Sequence, residues 1–197
     1  GQLRDLRLAK YVHEYMARAG FVVETTGSNI LIDVYAKCGD MIAARDVFKS
    51  MGCKDTVSWN SVINGYIQSG DLLEAMKLFK MMMIMEEKAD HITYLMLISL
   101  STRLSDLEFG RGLQSNATKS GIYSDMSVSN ALIDMYAKCG EVGDSLKIFN
   151  GMNARDTVTW NTVISACVRL GDFATGLHVT TQMRSSGAVP DMATFIA

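Results

Sequence analysis

Proline is almost missing from this chain: Pro190 is the only one in 197 residues. With a single ring to lock φ and remove a backbone N–H, long stretches can run as helix without a break. Linkers are absent too, since no glycine or serine run divides the chain and no segment is low in complexity. Neither sign of charge dominates: 19 Lys and Arg face 21 Asp and Glu, for a net charge of −2. That balance excludes a protein that grips nucleic acid mainly by charge, but leaves room for one that reads bases while placing a few cations with care. No apolar run reaches the roughly 18 residues a membrane span needs, and the opening GQLRDLRL lacks the zones of a signal peptide. A soluble chain with no membrane partner is expected, its targeting segment lying elsewhere in a longer protein.

Catalytic patterns are missing as well. Cys38, Cys53, Cys139 and Cys167 form no CxxC pair and have no histidine at metal-ligand spacing, so buried free thiols are expected and no metal site. His13, His91 and His178 read as partly exposed helix residues. No Gly-rich phosphate loop, GxSxG, or HxE with PCxxC is present. Neither an enzyme nor a cofactor is expected of this segment, and it offers no catalytic residue; a catalytic domain outside it is a separate matter.

What the chain does contain is itself, twice. NILIDVYAKCG, starting at Asn29, returns as NALIDMYAKCG, starting at Asn130, with nine of eleven residues identical at an offset of 101. The same offset carries DTVSWNSVI from Asp55 onto DTVTWNTVI from Asp156, and LRLAKYVHEY from Leu6 onto LEFGRGLQSN from Leu107. A period this long is expected to contain shorter units. Cutting at each recurring aspartate gives blocks 25–55, 56–90, 91–125, 126–156 and 157–191, of 31, 35, 35, 31 and 35 residues. Residues 1–24 read as the tail of an earlier block and 192–197 as the start of another, so the ends look excised, and exposed apolar faces there are expected to favour pairing into a dimer.

Each block carries two helical patterns. In the first, apolar residues fall at the seventh, eighth and mostly eleventh places, the eighth being Ile32, Ile63, Ile98, Ile133 and Ile164, which is one helix face. Gly39, Gly70, Gly140 and Gly171 follow, with Ser105 as the exception, where a left-handed residue would end that helix. Next stands Asp40, Asp71, Asp106, Glu141 or Asp172, suited to cap the second helix or offset its dipole. That helix has a small residue at the twentieth place (Ala44, Ala75, Gly110, Ser145, Gly176), which lets its partner approach closely. Met81 to Met85, MMMIM, reads as a core-facing helix end built of adaptable thioethers. A hairpin this small cannot bury its faces alone, so the blocks should stack into an all-α solenoid with a continuous core.

Three polar registers are left over once the fold is accounted for. The fifth place holds Asn29, Asn60, Leu95, Asn130 and Asn161; the last holds Asp55, Asp90, Asp125, Asp156 and Asp191. Asparagine is a mediocre helix former, so its recurrence one turn into a helix wants a reason. It is either a backbone cap or an amide whose donor and acceptor match the edge of a nucleobase, held in one orientation by the aspartate. The thirteenth place holds Lys37, Gln68, Arg103, Lys138 and Arg169, cations that either complement the helix dipole or track phosphates one per block.

These residues resemble the pentatricopeptide repeat family, and within it the PLS subclass of plant organellar RNA-editing factors. VSWNSVINGYIQSGDLLEAMKLFKMM looks like a P-type repeat, ITYLMLISLSTRLSDLEFGRGLQSNATKSGIYSD like an L-type and NALIDMYAKCGEVGDSLKIFNGMNARD like an S-type. Residues 1–24 are then a partial L-type repeat, 25–55 and 126–156 S-type, 56–90 and 157–191 P-type, 91–125 L-type and 192–197 the start of an L-type. Tetratricopeptide repeats keep a uniform length near 34 and other landmarks. The resemblance implies a right-handed superhelical solenoid of helix-turn-helix repeats, with the first helices lining a groove for single-stranded organellar RNA, one base per repeat. It implies base reading by Asn29 with Asp55, Asn60 with Asp90, Asn130 with Asp156 and Asn161 with Asp191, preferring uridine over cytidine. Leu95 with Asp125 would be a non-reading L-type pair, open to an accessory editing-factor protein of the MORF/RIP type. Thr26, Val57, Ile92, Ser127 and Val158 would flank bases, Thr26 and Ser127 departing from the usual aliphatic residue, and Lys37, Arg103, Lys138 and Arg169 would contact phosphate. The implied function is to specify sites of cytidine-to-uridine editing, in the mitochondrion or alternatively the chloroplast. A protein-interaction scaffold that does not read RNA is the alternative. The reader amides are expected to face the groove, free to meet pyrimidines.

Overall fold

The computed structural model describes residues 2–18, 24–192 and 194, with backbone alone for 2–5, 16 and 17. Among them are eleven α-helices, one short 3-10 turn and no strand. One compact unit, Gly1–Asp90, holds α1 (Gln2–Arg18), α2 (Thr25–Lys37), α3 (Met41–Ser50), α4 (Thr56–Ser69) and α5 (Leu72–Ile84). A second, His91–Ala197, holds α6 (His91–Leu104), α7 (Leu107–Lys119), the 3-10 turn Ile122–Ser124, α8 (Met126–Lys138), α9 (Val142–Gly151), α10 (Thr157–Arg169) and α11 (Phe173–Ser185). Residues 1, 19–23, 193 and 195–197, on which parts of the first and last blocks fall, lie outside the described residues.

In both units antiparallel pairs stack side by side. α2 packs on α3 and on α4, and α4 on α5; α8 packs on α9 and on α10, and α10 on α11. The eighth-place isoleucines Ile32, Ile63, Ile98, Ile133 and Ile164 are all buried, as are the small residues Ala44, Ala75, Gly110, Ser145 and Gly176. Small size there is a packing requirement. A Cβ built on Gly110 would lie 2.7 Å from the Met135 Cε and 2.9 Å from the Ser101 Oγ.

The first helix of each pair ends where a left-handed residue lets the chain reverse. Gly70 takes φ +85°, and Ser105 holds the same conformation at φ +52° without glycine's freedom. The second helix then starts on a carboxylate: Asp40, Asp71, Asp106 and Asp172 accept from the backbone N–H of Ala43, Glu74, Phe109 and Thr175 at 3.0 to 3.2 Å. Glu141 makes no such side-chain bond, its extra methylene carrying the carboxylate past the N–H groups.

Contacts recur at the sequence period. Phe48 meets Trp59 edge-on at 4.8 Å and Phe149 meets Trp160 at 5.0 Å, both with planes at 73°. Lys54 stands 5.3 Å over the Phe48 ring and Arg155 4.6 Å over Phe149. Tyr35 lies 3.0 Å from the His13 Nδ1, and the Tyr136 hydroxyl donates to the Gln114 Oε1 at 2.6 Å.

Two expectations are corrected. Only Met82 of the MMMIM run is buried; Met81, Met83, Ile84 and Met85 are exposed. Five successive positions span more than a full helical turn, so they cannot share one inward face. Of the cysteines only Cys167 is buried, while Cys53, in the connection after α3, is exposed.

Candidate nucleic-acid interface

The fifth-place amides and last-place carboxylates are brought together by the stacking of one block on the next. Asn29 Nδ2 donates to Asp55 Oδ1 at 3.2 Å, Asn60 Nδ2 to Asp90 Oδ1 at 3.1 Å and Asn161 Nδ2 to Asp191 Oδ1 at 2.9 Å. Asn130 hydrogen-bonds Asp156 in the same manner. A carboxylate accepts and never donates, so the partner fixes which end of each amide is nitrogen. The amide oxygens of Asn29 and Asn130 accept from no backbone N–H, and that of Asn161 accepts from the Thr194 hydroxyl at 2.6 Å.

The aspartates do cap. Asp55 and Asp156 accept at Oδ1 from the backbone N–H of Ser58 and Thr159, at 2.8 and 2.7 Å, and Thr194 N–H donates likewise to Asp191 at 3.0 Å. One carboxylate thus starts a helix and holds the amide of the preceding block. Burial pushes the Asp55 and Asp156 carboxyls up, but the hydroxyl and N–H donors of Ser58 or Thr159, together with the asparagine amide, outweigh it and hold both below the usual carboxylate range.

The expectation that the amides stand free is corrected. Asn29 and Asn60 keep only 8% and 9% exposure, and the amide oxygens of Asn29 and Asn130 are sealed from solvent with no hydrogen-bond partner. An acceptor in that state carries a desolvation cost of about 1–3 kcal/mol. The exposed features of this register are the carboxylates of Asp55, Asp156 and Asp191 and the second-place side chains. Among these Val57, Ile92 and Val158 are large apolar groups between 48% and 60% exposed, and Thr26 and Ser127 are exposed as well.

The block 91–125 differs. Leu95 is half-buried and brings no amide to Asp125, whose Oδ1 accepts from the backbone N–H groups of Ser127 and Val128 at 2.8 and 3.1 Å.

The thirteenth-place cations Lys37, Arg103, Lys138 and Arg169 are all exposed. Lys37 and Lys138 each reach a carboxylate one turn earlier, Asp33 and Asp134, at 2.6 Å, and Arg169 comes within 3.9 Å of Asp134. Sequence reasoning missed these acidic partners, although their spacing of four was visible. A cleft of about 560 Å³ between α2 and α4 is lined by Asp33, Lys37, Asn64 and Gln68 among others. Among the described residues no cluster of three or more His, Cys, Asp or Glu side chains is arranged to hold a metal, and no helix is long and apolar enough to cross a membrane.

Sequence models of the PPR repeat match residues 28–55 and 127–156, and those of the PPR repeat family match 54–100 and 155–197. The chain belongs to the pentatricopeptide repeat (PPR) family. Among its relatives, the pentatricopeptide repeat-containing protein At3g03580 of Arabidopsis thaliana is 80% identical over the whole chain, which covers 22% of that protein. Two others from the same plant are named as organellar: At3g53360, mitochondrial, is 33% identical over 94% of the chain, and At4g25270, chloroplastic, 35% identical over all of it. The chain spans 24% and 36% of their lengths. In structure it is similar to the pentatricopeptide repeat protein PPR10, crystallised in complex with an 18-nt psaJ RNA element, with a TM-score of 0.71 at 18% identity, over 91% of this chain and 27% of that one.

Proposed function

We propose that this chain is an RNA-reading tract of a PLS-type pentatricopeptide repeat protein that specifies sites of cytidine-to-uridine editing in organellar transcripts. The observation that carries the reading is the recurrence of one amide–carboxylate pair, Asn29 with Asp55, Asn60 with Asp90, Asn130 with Asp156 and Asn161 with Asp191, beside second-place side chains that are exposed. One amide N–H goes to the carboxylate. The second amide N–H would donate to a base acceptor, and the carboxylate would accept from a base N–H, directly or through water. A donor and an acceptor side by side match the O4 and N3–H of uracil, or the N3 and N4–H of cytosine. The apolar flanks Val57, Ile92 and Val158 would pack on the base faces.

On this reading the blocks are S-, P-, L-, S- and P-type in order, and prefer pyrimidine, pyrimidine, any base, pyrimidine, pyrimidine from 5′ to 3′. Uridine is favoured over cytidine. Leu95 with Asp125 leaves its base unread and offers a place for an accessory protein. Lys37, Arg103, Lys138 and Arg169 follow the phosphates. The names of the relatives support an organellar address, and the mitochondrion is the one proposed. If each pair supplies roughly 1 kcal/mol of discrimination, four give about 4 kcal/mol, close to a thousandfold preference.

Titrating labelled UUAUU RNA against AAAAA RNA at low salt checks the reading, with tighter binding of the first expected. Equal or undetectable binding by folded protein would favour the peptide-binding scaffold instead. A sharper measurement replaces Asn60 by Thr and Asp90 by Asn, a pair the family associates with adenosine: preference at the second base should move from uridine to adenosine while the other four positions keep theirs.

A further inference from the structure

Between the fifth and thirteenth places of each first helix, one turn from either, lies the ninth, which holds Asp33, Asn64, Ser99, Asp134 and Ser165. Residues four apart share a face, so Asn29, Asp33 and Lys37 form one stripe along α2, and Asn130, Asp134 and Lys138 another along α8. The residues at the two places go together. Lysine at the thirteenth stands with aspartate at the ninth in blocks 25–55 and 126–156, arginine with serine in 91–125 and 157–191, and Gln68 with Asn64. Packing makes no demand for a carboxylate there, since the side chains of Asp33 and Asp134 remain 45% and 39% exposed.

These carboxylates reach the groove cations, and not equally. Lys37 Nζ lies 2.6 Å from Asp33 Oδ2, and Lys138 Nζ 2.6 Å from Asp134 Oδ2. Across the seam to the next block the two copies diverge. Arg169 brings its guanidinium within 3.9 Å of Asp134, whereas the same place in the first copy is Gln68, which lines a cleft with Asp33, Lys37 and Asn64. Asp134 thus stands beside two cations and Asp33 beside one. Exposed pairs one turn apart add little to stability. A phosphate that approaches such a lysine must nevertheless compete with an anion already there, and the pair as a unit carries no net charge with which to displace counterions from RNA.

We propose that the ninth-place aspartates Asp33 and Asp134 are positioning residues that restrain the groove cations, holding Lys37, Lys138 and Arg169 on neighbouring carboxylates so that the grip on phosphate stays weak and the bases decide what binds. This rests on the RNA reading above, in which those cations meet phosphates. Phosphate contacts add affinity without regard to sequence. A tract whose cations are partly neutralised by its own carboxylates gives up that affinity for every RNA alike and keeps the contribution of the amide–carboxylate pairs.

The test uses Asp134→Asn and Asp33→Asn, which keep the shape and remove the charge, with binding to UUAUU and AAAAA RNA followed by fluorescence anisotropy across a salt series. Asp134→Asn is expected to tighten binding of both RNAs at low salt by a similar factor, about two- to fivefold. It should also make the slope of log K against log salt more negative by about 1.4, two single-strand contacts' worth, and Asp33→Asn, beside one cation, by about 0.7. Asp134→Glu keeps the charge and should keep the wild-type slope. Asp144→Asn controls for net charge: Asp144 pairs with Arg111 and Lys147 on the second helices, so its loss makes the same change in charge away from the groove stripe and should leave the slope alone. An unchanged or shallower slope for Asp134→Asn, or an equal steepening by Asp144→Asn, would overturn the proposal while leaving the RNA reading in place. Equal binding of both RNAs with the slopes steepened as expected would overturn the pyrimidine reading and leave the restraint of the cations standing. No measurable binding of either RNA by the folded wild-type chain would overturn both. Should Asp134→Asn fail to unfold cooperatively, Asp33→Asn carries the same test.

Discussion

A single aspartate oxygen in this fold holds several donors at once. At Asp156 the Thr159 N–H and hydroxyl both reach Oδ1, at 2.7 and 2.8 Å, and Asn130 bonds the same carboxylate. Such a group ionises more readily folded than unfolded, and Asp55 behaves alike. With the folded pKa depressed, the stabilisation is complete above the unfolded value, about 3.9, and is lost as pH falls through the folded one. Replacing both by Asn keeps a capping side chain and removes the charge. The double variant should be less stable at neutral pH and show a flatter decline in stability below about pH 4, as read from urea midpoints measured across pH. The spacing of asparagine and aspartate was legible in the sequence, because repetition of a costly residue is visible without coordinates. That the amide oxygens of Asn29 and Asn130 would be sealed was not, since it depends on what the following block lays over them.

At the scale of elements, the helix pairs follow closely from the sequence, and the reason is local. Left-handed Gly39, Gly70, Gly140 and Gly171 act within a turn of chain, and so do the capping aspartates one residue after three of them, Asp40, Asp71 and Asp172; Glu141, after Gly140, makes no capping bond. Position twenty is more demanding, because it meets another helix. Ala44 and Ala75 fill it with no polar atom, whereas Ser145 buries a hydroxyl that finds no partner. Ser145→Ala removes that orphan at almost constant volume and should stabilise the chain by about 1 kcal/mol, seen as a higher thermal midpoint. The MMMIM run shows the limit of counting apolar residues. Its composition suggested a buried end, but α5 stops at Ile84 and only Met82 points inward.

For the molecule as a whole, net charge and the proposed RNA binding are reconciled by where the cations stand. Lys37 and Lys138 are already paired with Asp33 and Asp134, so no more than the four thirteenth-place cations are proposed to neutralise phosphates. For single strands the slope of log K against log salt is about −0.7 per phosphate contact, which caps it near −3 for UUAUU RNA. A steeper slope in a salt titration would mean that cations elsewhere grip the backbone. By itself the sequence determined the repeating unit, the two helices in each block, the residues that end and start them, and the registers in which polar residues recur, because each of these is written in spacing along one stretch of chain. Only the tertiary structure decided that each amide is tied to a carboxylate some 26 to 30 residues later, that the hydroxyls of Ser58, Thr159 and Thr194 reach the carboxylate three residues before them, and that the amide oxygens of Asn29 and Asn130 are covered. Those contacts form across the seam between neighbouring blocks, where the distance between side chains is set by helix packing and not by position in sequence.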